Sequence, residues 1–144
     1  MVSGDVTWFI LGAGPDEEVA LVKEQIREHK MESRVIMLGA KSNPYSYIKD
    51  ADLLVLTSRY ESYPTVVNEA KIIGTPIVCR DFSSACEIMG ENSGMVLPME
   101  RLHEGINELL SHGNKYQHIK EKLKSYKYDN SKYLEAIYRL IDEK

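Results

Sequence analysis

Residues 52–79 read DLLVLTSRYESYPTVVNEAKIIGTPIVC. Asp52-Leu-Leu-Val-Leu-Thr57 is an apolar run of strand length. Pro64 suits a first helical position, and Val66, Val67, Ala70 and Ile73 then recur at helical spacing until Gly74 ends the pattern. Pro76-Ile-Val-Cys79 is a second apolar run. Two strands joined by a helix, each strand apolar without alternation, predict a parallel pair buried on both faces.

The same alternation continues in both directions. Val6-Thr-Trp-Phe-Ile-Leu11 reads as a strand, and Gly12-Ala-Gly-Pro15 as a turn into a helix with Asp16, Glu17 and Glu18 in its first turn and Val19, Val22 and Ile26 on one face. Arg34-Val-Ile-Met-Leu38 is a second strand stopped by Gly39, and Asn43-Pro44 opens a short helix carrying Tyr45 and Ile48. Gly94-Met-Val-Leu97 is a further short strand, followed by helical patterns over 99–110, 116–123 and 132–141. The fold class is therefore α/β, a Rossmann-like parallel sheet with helices on both faces. Ligands of such sheets bind beyond the carboxyl ends of the strands, which directs attention to the loops after Leu11, Leu38, Thr57 and Cys79.

Composition agrees with one globular unit: 144 residues, 43% hydrophobic and 28% charged. No apolar run approaches the ~20 residues that span a bilayer, and the run 6–13 lacks the basic flank of a signal peptide. Cys79 and Cys86 make neither a disulfide framework nor a four-ligand zinc site, so a cytoplasmic setting is expected. Net charge is −4, which argues against nucleic acid as a partner. The charge is uneven: residues 114–144 hold eight Lys and Arg against five acids, and five of the nine tyrosines. We read 1–113 as the ligand-binding unit and 114–144 as helices packed on it.

Two loops carry candidate chemistry. Gly12 and Gly14 permit close backbone approach, but Glu17 stands where a dinucleotide fingerprint needs its third glycine and would oppose a pyrophosphate. The loop after Thr57 places Glu61 before a proline-initiated helix and Glu69 one to two turns into it. Amides at Tyr63, Thr65 and Val66 would be unpaired at the helix start and suit a phosphate or a hydroxyl-rich ligand. A carboxylate accepts two hydrogen bonds at once, which matches a vicinal diol such as a ribose. The competing reading makes Glu61 a solvated loop acid and Glu69 part of an exposed helix face. His29, His103, His112 and His118 show no paired metal-ligand spacing.

Glu61-Ser-Tyr-Pro-Thr-Val-Val-Asn-Glu-Ala70 resembles the paired-glutamate motif of the retaining glycosyltransferases of family 4, with the GT-B architecture. Leu11-Gly-Ala-Gly-Pro15, Val35-Ile-Met-Leu-Gly39, Ala51-Asp52, Gly74-Thr-Pro-Ile-Val78 and Glu87-Ile88 before Gly94 occur in the family's order. The resemblance implies the C-terminal, donor-binding half of an enzyme that moves a sugar from a nucleoside diphosphate to an acceptor hydroxyl with retained configuration, without a metal or other cofactor. Carried over by motif, Glu69 would hold the ribose hydroxyls and Glu61 the hydroxyls of the donor sugar. Amides around Ser62, Tyr63, Pro64 and Thr65 would approach the sugar and diphosphate, with Gly12 and Gly14 against the diphosphate. The loop of Leu38, Gly39 and Lys41 would read the base through backbone groups, the side chains of Lys41 and Arg59 lying at the surface. Ser62 stands where the family often has glycine.

The resemblance also implies parts that have no counterpart here. One is the N-terminal acceptor domain. The other is the first strand and helix of the donor domain, with the Arg and Lys that clamp the diphosphate. Without that strand a gap would open between the strands at Val6 and Asp52, to be filled by a rearranged or swapped element or by a partner chain, because unpaired strand edges are costly to bury. The implied partners are thus a nucleotide-sugar donor, the acceptor half of the same enzyme, an oligomer mate at the gap, and a weakly associated inner membrane face. The isolated chain is expected to bind nucleotide weakly and to transfer no sugar. Two other classes remain at this stage. One is a non-catalytic nucleotide-binding or regulatory domain with a flavodoxin-like sheet, although Leu11 and Leu38 precede glycines where a phospho-receiver needs acids. The other is an interaction module built on the basic tail.

Overall fold

The computed structural model describes residues 2–62 and 64–131. Tyr63 and the helix expected over 132–141 lie outside the described residues. The elements alternate as β1 (Trp8–Leu11), α1 (Asp16–Glu28), β2 (Val35–Gly39), α2 (Tyr45–Asp50), β3 (Leu54–Leu56), α3 (Thr65–Ile73), β4 (Ile77–Arg80), α4 (Ala85–Met89), β5 (Gly94–Leu97), a 3-10 turn (Met99–Arg101), α5 (Leu102–Leu110) and α6 (Asn114–Lys124). All strand pairs are parallel. Strand and helix order follow the sequence reading, with one addition. Helix α4 has five residues, too few for a 3.6-residue pattern to show.

The sheet is in two pieces, β1-β2 and β3-β4-β5. Trp8 of β1 nonetheless packs in the same apolar cluster as Leu53 and Val55 beside β3. The break therefore falls between β1 and β3, where the resemblance puts its gap.

Strand β4 organises the core by its period of two. Ile77 and Cys79 face one layer, with Ile48 of α2, Val67 and Ala70 of α3, and Ala85 and Met89 of α4. Val78 faces the other, with Leu102, Ile106 and Leu109 of α5 and Tyr116, Ile119 and Leu123 of α6. Full burial of an aliphatic side chain of this size contributes about 1.5–3 kcal/mol, and both layers contain several. Helix α6 thus belongs to the core of the domain rather than to a separate surface. His112 Nε2, 3.3 Å from the Asp52 carboxylate, ties the turn before α6 to the start of β3.

The β1-α1-β2 portion is different. Helix α1 buries none of its residues. Phe9 and Leu21 are 52% and 61% exposed, and Ile10, Val22 and Ile36 also stand in solvent. The fold class holds, but this portion is covered less completely than the layers around β4. This portion lies beyond the break in the sheet, where β1 pairs only with β2 among the described strands. A shallow apolar groove of about 350 Å³ results, lined by Leu21, Val22, Ile26, Met31 and Val35 among others.

Helix α3 stops where the sequence says it should. Gly74 adopts φ 88°, a left-handed conformation that favours glycine. Its amide donates to the Ala70 carbonyl at 2.9 Å, and the Thr75 amide donates to the same oxygen at 2.9 Å. The Thr75 hydroxyl then donates to the Ile48 carbonyl at 2.7 Å, clamping α2 to the foot of α3.

Candidate functional site

Four loops leave the carboxyl ends of β1, β2, β3 and β4, and the candidate residues sit on the first three. A register shift between Ile10 and Leu11 brings Leu11 opposite Gly39, so that half-buried Leu38 is skipped in the pairing. The Gly12 amide then donates to the Gly39 carbonyl at 3.1 Å. Gly12 has φ 134° and Gly39 φ 67°. Both conformations disfavour any residue with a Cβ, so the two turns depend on these glycines. The structure thus joins the Gly12–Gly14 turn to the loop that carries Leu38, Gly39 and Lys41. Gly12, Gly14, Gly39 and Lys41 are all exposed.

The loop after β3 leads to α3. Pro64 is buried and its carbonyl accepts from the Val67 amide at 3.0 Å. Among the described residues no side chain caps the helix, so its first amides lack intrahelical partners, and Ser62 and Thr65 on either side of Pro64 are exposed. The positive end of the helix dipole lies behind them. Glu61 is half-buried. Its charge bears on Cys79 at the end of β4, whose thiol is pushed up to about 11 mainly by burial, with Cys86, Asp81 and Glu61 adding in the same direction. Cys79 is a protonated, inert core thiol at neutral pH.

Glu69 is half-buried on the second turn of α3. Its Oε1 accepts a hydrogen bond from the Tyr45 hydroxyl at 3.5 Å. This contact reaches from α3 to the first residue of α2, directly after the loop from β2. Tyr45 was read from sequence only as part of a short helix; nothing in its spacing from Glu69 could have marked it, since the two are 24 residues apart. Two residues beyond Glu69, Lys71 turns inward. Its ammonium donates to the Ile88 carbonyl at 2.6 Å and lies 5.1 Å from the Tyr126 ring centre, and burial holds its pKa below the ordinary lysine value. Lys71 secures the underside of α3 and takes no part in the outward face.

Glycine turns, helix-start amides and a carboxylate are groups whose chemistry suits a phosphate-bearing, hydroxyl-rich ligand. Among the described residues, no three His, Cys, Asp or Glu side chains come together as a metal site. No described helix is long and apolar enough to cross a membrane. None of the candidate residues lines the groove on α1.

Comparison with known proteins agrees with this architecture. The chain is 28% identical over 128 residues to the N-acetylgalactosamine-N,N'-diacetylbacillosaminyl-diphospho-undecaprenol 4-alpha-N-acetylgalactosaminyltransferase of Campylobacter jejuni, covering 84% of this chain and 34% of that protein. It is 31% identical over 125 residues to the lipopolysaccharide 1,6-galactosyltransferase of Salmonella typhimurium, covering 81% and 34%. The chain thus spans about a third of the length of these curated relatives. Among solved structures, Anabaena HepE in complex with UDP superposes with a TM-score of 0.84 at 23% identity, over 99% of this chain and 42% of that one. Residues 4–126 match the family described as glycosyl transferases group 1, and the chain belongs to that family.

Proposed function

We propose that this chain is the donor-binding half of a retaining glycosyltransferase of family 4. It takes a uridine diphosphate sugar, holding the ribose on Glu69, the sugar hydroxyls on Glu61 and the diphosphate against the Gly12–Gly14 turn and the amides that open α3. The supporting observation is the placement of Glu69 and the uncapped end of α3 at the carboxyl edge of the parallel sheet, in a chain of the glycosyl transferases group 1 family. The choice of uridine follows from the UDP held by HepE. The reading involves no metal: helix amides and backbone at glycine turns would meet the diphosphate charge.

The acceptor half of the enzyme supplies the acceptor site, and the first strand and helix of the donor domain complete the sheet. A strand placed between β1 and β3, parallel to both, would continue into β1 through a right-handed crossover. Its helix then lies on the same face as α1. Leu21 and Val22 stand exposed beside that position, with half-buried Ile26 lining the same groove. The gap and the groove thus call for one strand–helix unit, apolar on the strand and on one helix face.

Titration of the chain with UDP, followed by NMR chemical shifts, tests the reading. Saturable binding in the millimolar range is expected, unchanged by EDTA, with no sugar transfer from UDP-glucose or UDP-galactose by the chain alone. Absence of binding at UDP excess would contradict the donor site. Rapid transfer by the chain alone would contradict the two-half account.

A further inference from the structure

Tyr45 stands at a junction that neither the motif nor the family comparison marks. Its backbone is fixed: the Tyr45 amide donates to the Asn43 side-chain oxygen at 3.2 Å, an Asx turn at the start of α2. Helix α2 is itself anchored. Ile48 is buried with Val67 and Ala70 of α3, and its carbonyl receives the Thr75 hydroxyl. The Tyr45 side chain therefore leaves a rigid base. It is 50% exposed, and it points its hydroxyl across to Glu69 from the end of the loop that joins β2 to α2.

Glu69 has three rotatable bonds and stands half-buried on a helix face. A carboxylate of that length must be ordered before it can accept two hydroxyls of one ring, and the ordering costs free energy at binding. The Tyr45 hydroxyl engages Oε1. One bond to one oxygen restricts the torsions while the second oxygen and the remaining lone pairs stay available. At 3.5 Å the contact is longer than the 2.7–2.8 Å usual for O–H···O, a weak bond to one oxygen that leaves the second oxygen unengaged by Tyr45.

Building on the proposed donor site, we infer that Tyr45 is a positioning residue: its hydroxyl pre-orients the Glu69 carboxylate to receive the two ribose hydroxyls of a nucleoside diphosphate. Tyr45 acts through Glu69. Its effect should therefore depend on the hydroxyls of the ligand, whereas a packing role would not.

The test compares UDP with 2′,3′-dideoxy-UDP on the wild type, Tyr45→Phe and Glu69→Gln, with affinities read by NMR shifts at ligand excess. Tyr45→Phe keeps the ring and removes only the hydroxyl. It is expected to weaken UDP by about two- to tenfold, the range for ordering one flexible side chain. The dideoxy nucleotide should bind as it does to wild type, so the ratio of the two affinities falls by the same factor. Equal weakening of both ligands, or no change for UDP while Glu69→Gln weakens it, would overturn the role of Tyr45 and leave the donor site standing. If Glu69→Gln leaves UDP binding unchanged, the donor-site reading falls and takes this inference with it.

Discussion

Glu69→Ala is expected to reduce UDP binding to the level of 2′,3′-dideoxy-UDP on the wild type. A carboxylate accepting two hydroxyls makes two charge-assisted hydrogen bonds, each contributing about 1.5–3 kcal/mol. Losing both weakens binding by about a hundredfold or more. From a millimolar starting point the residual binding, like that of 2′,3′-dideoxy-UDP to the wild type, is read from the initial slope of the shift titration rather than from saturation. The loss must be local to count. Glu69 lies on the outward side of α3, while the core contacts of the helix are made by Val67 and Ala70 and its inward polar bond by Lys71. The variant should therefore keep its urea midpoint. A Glu69→Ala chain that is fully stable and still binds UDP like wild type would remove Glu69 from the site.

The second large effect is on stability, at a glycine outside the binding loops. Gly94 opens β5 opposite Ile77 of β4. A Cβ at Gly94 would stand 1.7 Å from the Ile77 carbonyl oxygen and 2.6 Å from its carbon. These are backbone atoms of the central strand and cannot turn aside. Strand β5 must move away, and with it the bond from the Ile77 amide to the Ser93 carbonyl at 3.0 Å. Met95 and Leu97 would then leave one core layer and Val96 the other. Gly94→Ala is expected to cost about 3 kcal/mol or more, a large share of the roughly 5–15 kcal/mol that holds a domain folded. Gly105→Ala is the control. There the new Cβ meets the Leu97 Cδ1 atom at 2.5 Å, the end of a side chain that can rotate, and alanine is the better helix former by about 1 kcal/mol. Urea denaturation should show a much lower midpoint for Gly94→Ala and a small shift for Gly105→Ala. Similar midpoints would contradict the packing described between β4 and β5.

Strand and helix order was legible because β3, β4 and β5 are short apolar runs punctuated by Pro64, Gly74 and Pro76, and each of those residues has one backbone use. Helix α3 was predicted with its inward face because Val67, Ala70 and Ile73 repeat at the helical period. The same rule misled on α1. Val22 recurs at the same spacing yet lies exposed, because periodicity reports which face could be covered and not whether a neighbour is there to cover it. Pairing explains the rest. Glu61 and Glu69 share one loop and one helix, so spacing reached them. Tyr45 meets Glu69 only through the packing of α2 on α3, and Gly12 meets Gly39 only through the shifted register of β1 and β2. Contacts between distant segments leave no periodic trace in a single chain.

The most direct measurement is a backbone amide shift map of the chain on addition of UDP. The account predicts perturbations concentrated at Gly12, Gly14, Gly39, Ser62, Thr65, Val66 and Glu69, with α1, α5 and α6 unaffected. Shifts confined to the α1 groove around Leu21 and Ile26, or to the basic α6, with the amides of Thr65 to Glu69 unmoved, would contradict it.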